Sequence, residues 1–403
     1  MKVLILVRIL WTAGAQKIAI SEAKWLRKIG YEADLLFLRG RPNREYEELL
    51  QDTSYVIYSS SGKSPFTPIY SYITGKFMPD RKSEGRIDYN LIRAFPKIIK
   101  NKGYDMVICH DSWAGLAGYY AKMKLGIPYK IVVHERVVKY KVRILGKLAN
   151  NFENKVLRNA NEIFAVTDDV ADSIVSLYGY NSKTLLPGIE IKEFNSYMKR
   201  KKILLTVAFW DRGRYPEVYL KLLKLLDDYD LIIAGNWRDK EFFKEFTLNV
   251  NTLKEKNRIK ILTGLNEIEL GELFKQSKFF VRFGFQEHGL GTANLEAISY
   301  GLPVIVNSTL GFSKIVKLFG AGFVANGEFI SDLFSNKTDW YTSNILLNSN
   351  LSERLNLDEI AEFIKLNDNV DDYTKLQVGC REISNKLTWK EHCNQLMTLN
   401  SNS

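Results

Sequence analysis

The 403-residue chain has few groups that bind metals or form disulfides, with only three cysteines and four histidines. Cys109, Cys380 and Cys393 are too few and too scattered for a disulfide framework, which fits a reducing compartment. No apolar run approaches the roughly 18 residues that a spanning helix requires. The opening MKVLILVRILWTAG has the lysine and apolar run of a signal peptide, but Arg8 interrupts the run and no small-residue cleavage site follows. It reads as a buried first strand. The expected location is cytoplasmic, at most peripheral at the inner face of the membrane. The 21 tyrosines are dispersed and form no compact nucleic-acid-binding motif, so a nucleic-acid partner is not expected.

The length exceeds what one core usually serves, so two domains are expected. An apolar fraction of 46% argues against global disorder. The net charge of +11 is unevenly placed: residues 1–160 hold 28 Lys and Arg against 14 Asp and Glu, the remainder 29 against 32. A basic half either faces an anionic partner or serves solubility. Segment 136–158, RVVKYKVRILGKLANNFENKVLR, holds seven cationic residues and one acid among Val, Ile and Leu. It fits an anionic membrane surface, or a surface helix with one solvated face.

Short, continuous apolar runs recur along the chain: VLILVRI (3–9), ADLLFLR (33–39), MVICHD (106–111), KIVVHE (130–135) and EIFAVTD (162–168). Continuous runs suit a parallel sheet covered on both faces, and the mixed segments between them, such as QKIAISEAKWLRKIG (16–30), suit crossover helices. Residues 56–82 break the rhythm with three prolines and two glycines, as an excursion beside a site does. After a pause near 195–202 the alternation restarts with ILLTVAF (203–209), YDLIIAG (229–235), IKIL (259–262), KFFVRF (278–283) and PVIVN (303–307). Two doubly wound α/β domains are expected, over 1–197 and 201–385. The tail from about 329 is polar and weakly periodic. A terminal helix and tail over 386–403 is expected to pack back towards the first domain.

Ligands of such sheets bind beyond the carboxyl ends of the strands. His110 and His134 each end an apolar run, and His288 lies in the loop after another; His392 sits on the terminal helix. Each strand-end histidine is either a structural hydrogen bonder or a site residue. The stretch QEHGLGTANLEAISYGLPV (286–304) combines glycines, which permit close backbone approach, with a helix start at Thr292, a candidate N-cap. Free N–H groups there suit a phosphate, and Glu296, one turn in, can accept bonds from sugar hydroxyls. The other reading is a capped helix with an ordinary first-turn acid. Asp228-Tyr229-Asp230 has the spacing of a metal-holding Asp-x-Asp, but it precedes its strand, the wrong end for a ligand.

The stretch HGLGTANLE resembles the signature of the GT-B retaining glycosyltransferases of family 4. In that signature an acid is followed by Gly-Phe-Gly and by a second glutamate eight positions after the first. Gly289, Leu290, Gly291 and Glu296 are in register; His288 stands where the first acid belongs, with Glu287 one residue early. Either His288 replaces that acid or a bulge brings Glu287 in. The segment AGAQKIAISEAKWLRKIGYEADLLFL (13–38) resembles the family's glycine loop, helix and second strand, with Ala13-Gly14 where paired glycines are usual. KIVVHE, AVTDDVADSIVSLYG, LLPGIEIKEF and LTWKEH follow in the family's order. In TVAFWDRGRYPE (206–217) the family's arginine position holds Phe209, and Arg212 and Arg214 lie near its lysine position.

The resemblance implies a GT-B fold, two Rossmann-like domains facing across a cleft, and retaining transfer of a sugar from a nucleotide-diphosphate sugar to a hydroxyl of a glycan acceptor; the basic segment 136–158 adds a lipid-linked glycan as the acceptor to expect. Glu296 would hold the ribose. Arg212, Arg214 and the backbone of Gly291, Thr292 and Ala293 would hold the diphosphate, with Gly14 in the opposing glycine loop. His134 would donate to a phosphate or sugar oxygen, and His288 or Glu287 would orient the donor sugar. No metal and no cofactor beyond the donor substrate are expected. A GT-B-like epimerase, a phosphorylase, and a non-catalytic nucleotide- or nucleic-acid-binding protein are the alternatives.

Overall fold

The apolar runs become strands of two parallel sheets. The computed structural model describes residues 1–10, 14–39, 50, 56–58, 89–135, 137, 143–211, 214–284, 289–327 and 355–398. They fall into two units: Met1–Gly188 together with the terminal segment from Trp389, and the residues between Ile189 and Thr388.

The first unit runs β1 (Lys2–Ile9), α1 (Gly14–Lys28), β2 (Glu32–Arg39), β3 (Val56–Tyr58), α2 (Tyr89–Ile99), β4 (Met106–His110), α3 (Ser112–Leu125), β5 (Tyr129–Val133), α4 (Arg143–Asn159), β6 (Glu162–Ala165), α5 (Asp168–Tyr178) and β7 (Lys183–Thr184). Its sheet order is β3-β2-β1-β4-β5-β6-β7, and every pairing is parallel. β1 lies between β2 and β4, with Leu4 opposite Asp34 on one side and Val107 on the other. Val3 to Val7 are buried, as expected of a strand covered on both faces.

The second unit runs β8 (Lys201–Val207), α6 (Glu217–Leu223), β9 (Asp230–Ala234), α7 (Lys240–Thr252), β10 (Ile259–Leu262), α8 (Glu267–Gln276), β11 (Ser277–Arg282), α9 (Thr292–Ser299), β12 (Val304–Asn307), α10 (Ser313–Phe319), β13 (Gly322–Ala325), α11 (Leu357–Leu366) and α12 (Val370–Lys386). Its order is β10-β9-β8-β11-β12-β13, again all parallel. The chain ends with α13 (Trp389–Met397), which belongs to the first unit: Lys130 Nζ on β5 donates to the carbonyls of Leu396 and Thr398.

The runs named from the sequence all form strands, within three residues at each end. The short β3, β7 and β13 were not anticipated, and neither were α11 and α12, which occupy a stretch read as weakly periodic. The buried face of α12 consists of Tyr373, Leu376, Gly379, Cys380, Ile383 and Ser384. Its small and polar members blur the apolar period although the spacing is helical. Asn356 and Asn369 cap the two helices by accepting from the N–H groups of Glu359 and Asp372.

Candidate active site

Each sheet reverses its winding direction once, and a reversal leaves a crevice at the carboxyl ends of the two strands involved. In the second unit the reversal lies between β8, whose chain leaves toward β9, and β11, whose chain leaves toward β12. The two motifs read from the sequence fall on those two exits.

The exit from β11 is held from both sides. The Tyr219 hydroxyl on α6 accepts from the Phe283 N–H at 2.9 Å, and the two rings stack at 5.5 Å. The fully buried Asn307, ending β12, accepts from the Gly284 N–H at 3.0 Å and donates to the Gly284 carbonyl at 2.9 Å. These anchors were not found from the sequence; an asparagine ending an apolar strand was the available signal. Phe285, Gln286, Glu287 and His288 lie outside the described residues, so the question of which replaces the first signature acid falls there.

The chain is described again from Gly289, and here the capping expectation is corrected. Gly291, not Thr292, is the N-cap of α9, with φ +68° and no side-chain cap. A β-branched residue is strained at that φ, whereas glycine is not. Thr292 therefore becomes the first helical residue. No acceptor among the described residues takes the N–H of Thr292 or Ala293. Asn294, also buried, ties the loop to the helix by donating to the Leu290 carbonyl at 2.8 Å. Glu296 is half-buried one turn in. The helix start thus offers N–H groups, with a carboxylate one turn on, as phosphate and sugar recognition require.

The exit from β8 is built on Trp210, fully buried, whose Nε1–H donates to the Ala234 carbonyl at 2.8 Å. Its backbone N–H donates to the Asn236 carbonyl, and its carbonyl accepts from the Arg238 N–H. Gly235, φ +119°, lets the β9 exit touch this loop; a Cβ there would sit 1.9 Å from the Ala208 carbonyl oxygen. Arg214 lies on this turn, half-buried, with its N–H bonded to the Asp211 carbonyl. Arg212 lies outside the described residues. Arg238 is a further cation at this end, 3.7 Å from Asp211 and against the Phe209 ring. It was missed because GNWRD follows β9 rather than β8.

In the first unit the reversal lies between β1 and β4. Gly14, half-buried, is the first residue of α1 beyond β1. His110 ends β4, and His134 follows β5 directly. After His110, Asp111 adopts φ +82° and caps α3 by accepting from the N–H groups of Trp113 and Ala114. The histidines join a buried network: His110 Nδ1 is 2.8 Å from His134 Nε2, and His110 Nε2 is 2.8 Å from Glu22 Oε2. Glu22 Oε1 is 2.8 Å from His392 Nε2 on α13. Burial opposes the charge of Glu22, yet His110 and His392 together hold its carboxyl far below the usual carboxylate range. Burial above all pushes His134 down to about 3, so its ring is neutral at ordinary pH. The sequence singled out His110 and His134 at strand ends and left His392 to the terminal helix; Glu22, in the middle of α1, was not singled out.

Asp228 and Asp230 lie at the amino end of the second sheet. Asp228 is paired with Lys202, which also holds Asp368 at 2.7 Å. Both acids are therefore remote from the carboxyl-end loops. Among the described residues no group of three or more His, Cys, Asp or Glu is arranged to hold a metal ion, and no helix is long and apolar enough to cross a membrane.

Two parallel doubly wound sheets, each with candidate ligand groups at its winding reversal, define a two-domain nucleotide-binding α/β protein. Residues 12–193 match the Glycosyltransferase Family 4 model and residues 189–357 that of the Glycosyl transferases group 1. An Escherichia coli UDP-Gal:α-D-GlcNAc-diphosphoundecaprenol α-1,3-galactosyltransferase is 27% identical over 278 residues, 62% of this chain and 70% of the relative. The structure of HepE from Anabaena in complex with UDP and glucose is similar over 98% of both chains, with a TM-score of 0.70 at 16% identity. That of WaaG, a glycosyltransferase involved in lipopolysaccharide biosynthesis, is similar over 100% of both, with a TM-score of 0.65 at 13% identity. The chain belongs to the GT-B glycosyltransferases of family 4, the group 1 glycosyl transferases. Its reaction is the transfer of a sugar from a nucleotide sugar.

Proposed function

We propose that the protein is a retaining, metal-independent hexosyltransferase that transfers a sugar to a hydroxyl of a lipid-linked glycan. The observation that carries this reading is the winding reversal of the second sheet, whose two exits bear Arg214 and the α9 start with Glu296. Glu296 accepts hydrogen bonds from the ribose hydroxyls. The backbone N–H groups of Gly291, Thr292 and Ala293, with Arg212 and Arg214, stabilise the diphosphate as negative charge grows on it in the transition state. Fixed donors and guanidinium forks can replace a divalent ion in that role. His288 or Glu287 orients the donor sugar. No protein nucleophile is assigned; the acceptor hydroxyl attacks on the face that the diphosphate leaves, so the configuration is kept.

The first unit takes the acceptor, with Gly14 and His134 at the carboxyl edge of its sheet. A lipid-linked acceptor is supported by the E. coli relative, named for a diphosphoundecaprenol substrate, and by the basic segment 136–158. On this reading the enzyme works at the cytoplasmic face of a membrane, held by anionic headgroups. The test is incubation with UDP-galactose or UDP-glucose, and an undecaprenyl-diphosphate-linked GlcNAc acceptor, in EDTA. An α-linked product, identified by its anomeric proton coupling, is expected. A β-linked product, or transfer only after divalent ions are restored, would overturn the proposal.

A further inference from the structure

The hydrogen bonds around Glu22 determine where the protons of the first unit's histidines lie. The carboxyl of Glu22 is fully buried and ionised, so it only accepts. Both facing nitrogens, His110 Nε2 and His392 Nε2, must therefore carry hydrogen. The other nitrogen of His392, Nδ1, lies 2.7 Å from the Leu186 carbonyl, which likewise only accepts. Two acceptors require a ring protonated on both nitrogens, and that cation balances the Glu22 charge. A second cation on this single carboxylate would leave the buried cluster with an uncompensated charge, so His110 is a neutral ring whose single proton is used on Glu22. Its Nδ1 carries a lone pair and can only accept from the nitrogen 2.8 Å away, His134 Nε2. A neutral His134 spends its one proton on that bond, which leaves the lone pair at its own Nδ1.

We infer that Glu22 and His110 are positioning residues that fix His134 in the Nε2-protonated tautomer, so that His134 offers the substrate a hydrogen-bond acceptor. Its ligand is then a sugar hydroxyl, which brings a proton, and not a phosphate oxygen, which does not. This reverses the donor role that family resemblance implies for His134. It rests on the reading of His134 as a site residue, but the tautomer can be measured without any substrate. The titratable groups that bear on the ring are Glu22 on α1, His110 at the end of β4 and His392 on α13, with Asp111 and Glu135 next to the two histidines in sequence. The Asp111 carboxylate is committed to capping α3.

The chain has four histidines, so ring-15N-labelled protein gives four resolvable ring systems in a long-range proton–nitrogen spectrum. The expected result is His134 with hydrogen on Nε2 and a bare Nδ1 between about pH 5 and pH 9. His134 with hydrogen on Nδ1 would overturn the inference. In Glu22→Gln the side-chain amide can accept or donate, so His134 should shift toward a mixture of tautomers; an unchanged His134 pattern would remove Glu22 from the account. If Glu22→Gln does not fold, the wild-type titration still decides. Since no sugar nucleotide is present, failure here leaves the transfer reaction untouched, and failure of transfer leaves the tautomer standing.

Discussion

His392 Nε2 on the terminal helix lies 2.8 Å from Glu22 Oε1 on the first helix, so the two ends of the chain's first unit are joined through a buried charged pair. Removing one member of such a pair strands the other in a medium that cannot solvate it. His392→Ala should therefore lower the stability of the first unit by about 3 kcal/mol or more. Urea denaturation of the variant, followed by fluorescence, measures the loss. A change under about 1 kcal/mol would mean that Glu22 finds solvent or another partner.

The same network makes the first unit acid-sensitive. His134 titrates near 3 when folded against an ordinary 6.5, so as the pH falls the unfolded chain takes up its proton first. This contribution is complete above about pH 6.5 and declines as the pH falls toward 3, at up to about 1.4 kcal/mol per pH unit. Glu22, held below its ordinary 4.5, adds a loss of the same sign below that value. Urea midpoints measured from pH 7 to pH 5 should fall, and they should fall less in His134→Asn.

Asn307 satisfies both backbone groups of Gly284 with one side chain. Asn307→Ala leaves the buried Gly284 N–H facing an empty volume, while the Gly284 carbonyl keeps the Thr309 hydroxyl at 3.2 Å. A cost of about 1–3 kcal/mol is expected for that one unsatisfied group. Because Gly284 leads into the donor loop, the affinity for sugar nucleotide should fall as well. Denaturation and ligand titration of the same variant separate the two effects.

At the cap of α9, Gly291→Ala places a Cβ 2.9 Å from Asn294 Nδ2 at φ +68°. The left-handed backbone alone costs an alanine about 1–2 kcal/mol. Calorimetry should show a destabilised second unit, and weaker diphosphate binding is expected because the helix N–H groups move with the cap.

Ten strands were legible because a parallel sheet covered on both faces requires unbroken apolar runs such as VLILVRI and KIVVHE; the short β3, β7 and β13, of two to four residues, were not. The helices α11 and α12 were not legible, because α12 buries Gly379 and Ser384 beside Cys380, and small residues carry little apolar signal. A Cβ at Gly379 would come within 2.3 Å of the Phe319 carbonyl, so close packing, not hydrophobicity, selects the glycine. Glu296 and Arg214, proposed here as site residues, could be named from the sequence because their loops directly follow strands. Glu22, Arg238 and Asn307 were not, because each acts on a residue brought near only by the tertiary fold. Thr292 was misassigned as the cap because capping preferences rank threonine among the good caps, and only the φ at Gly291 decides between them.

The central claim is that the loops after β8 and β11 form a donor site in which Glu296 holds the ribose. The most direct measurement is a thermal-shift screen of UDP-, GDP-, ADP- and dTDP-sugars on the wild-type protein and on Glu296→Ala. The account predicts that at least one sugar nucleotide raises the unfolding temperature of the wild type and that the shift disappears in Glu296→Ala. An equal shift in the variant would contradict it.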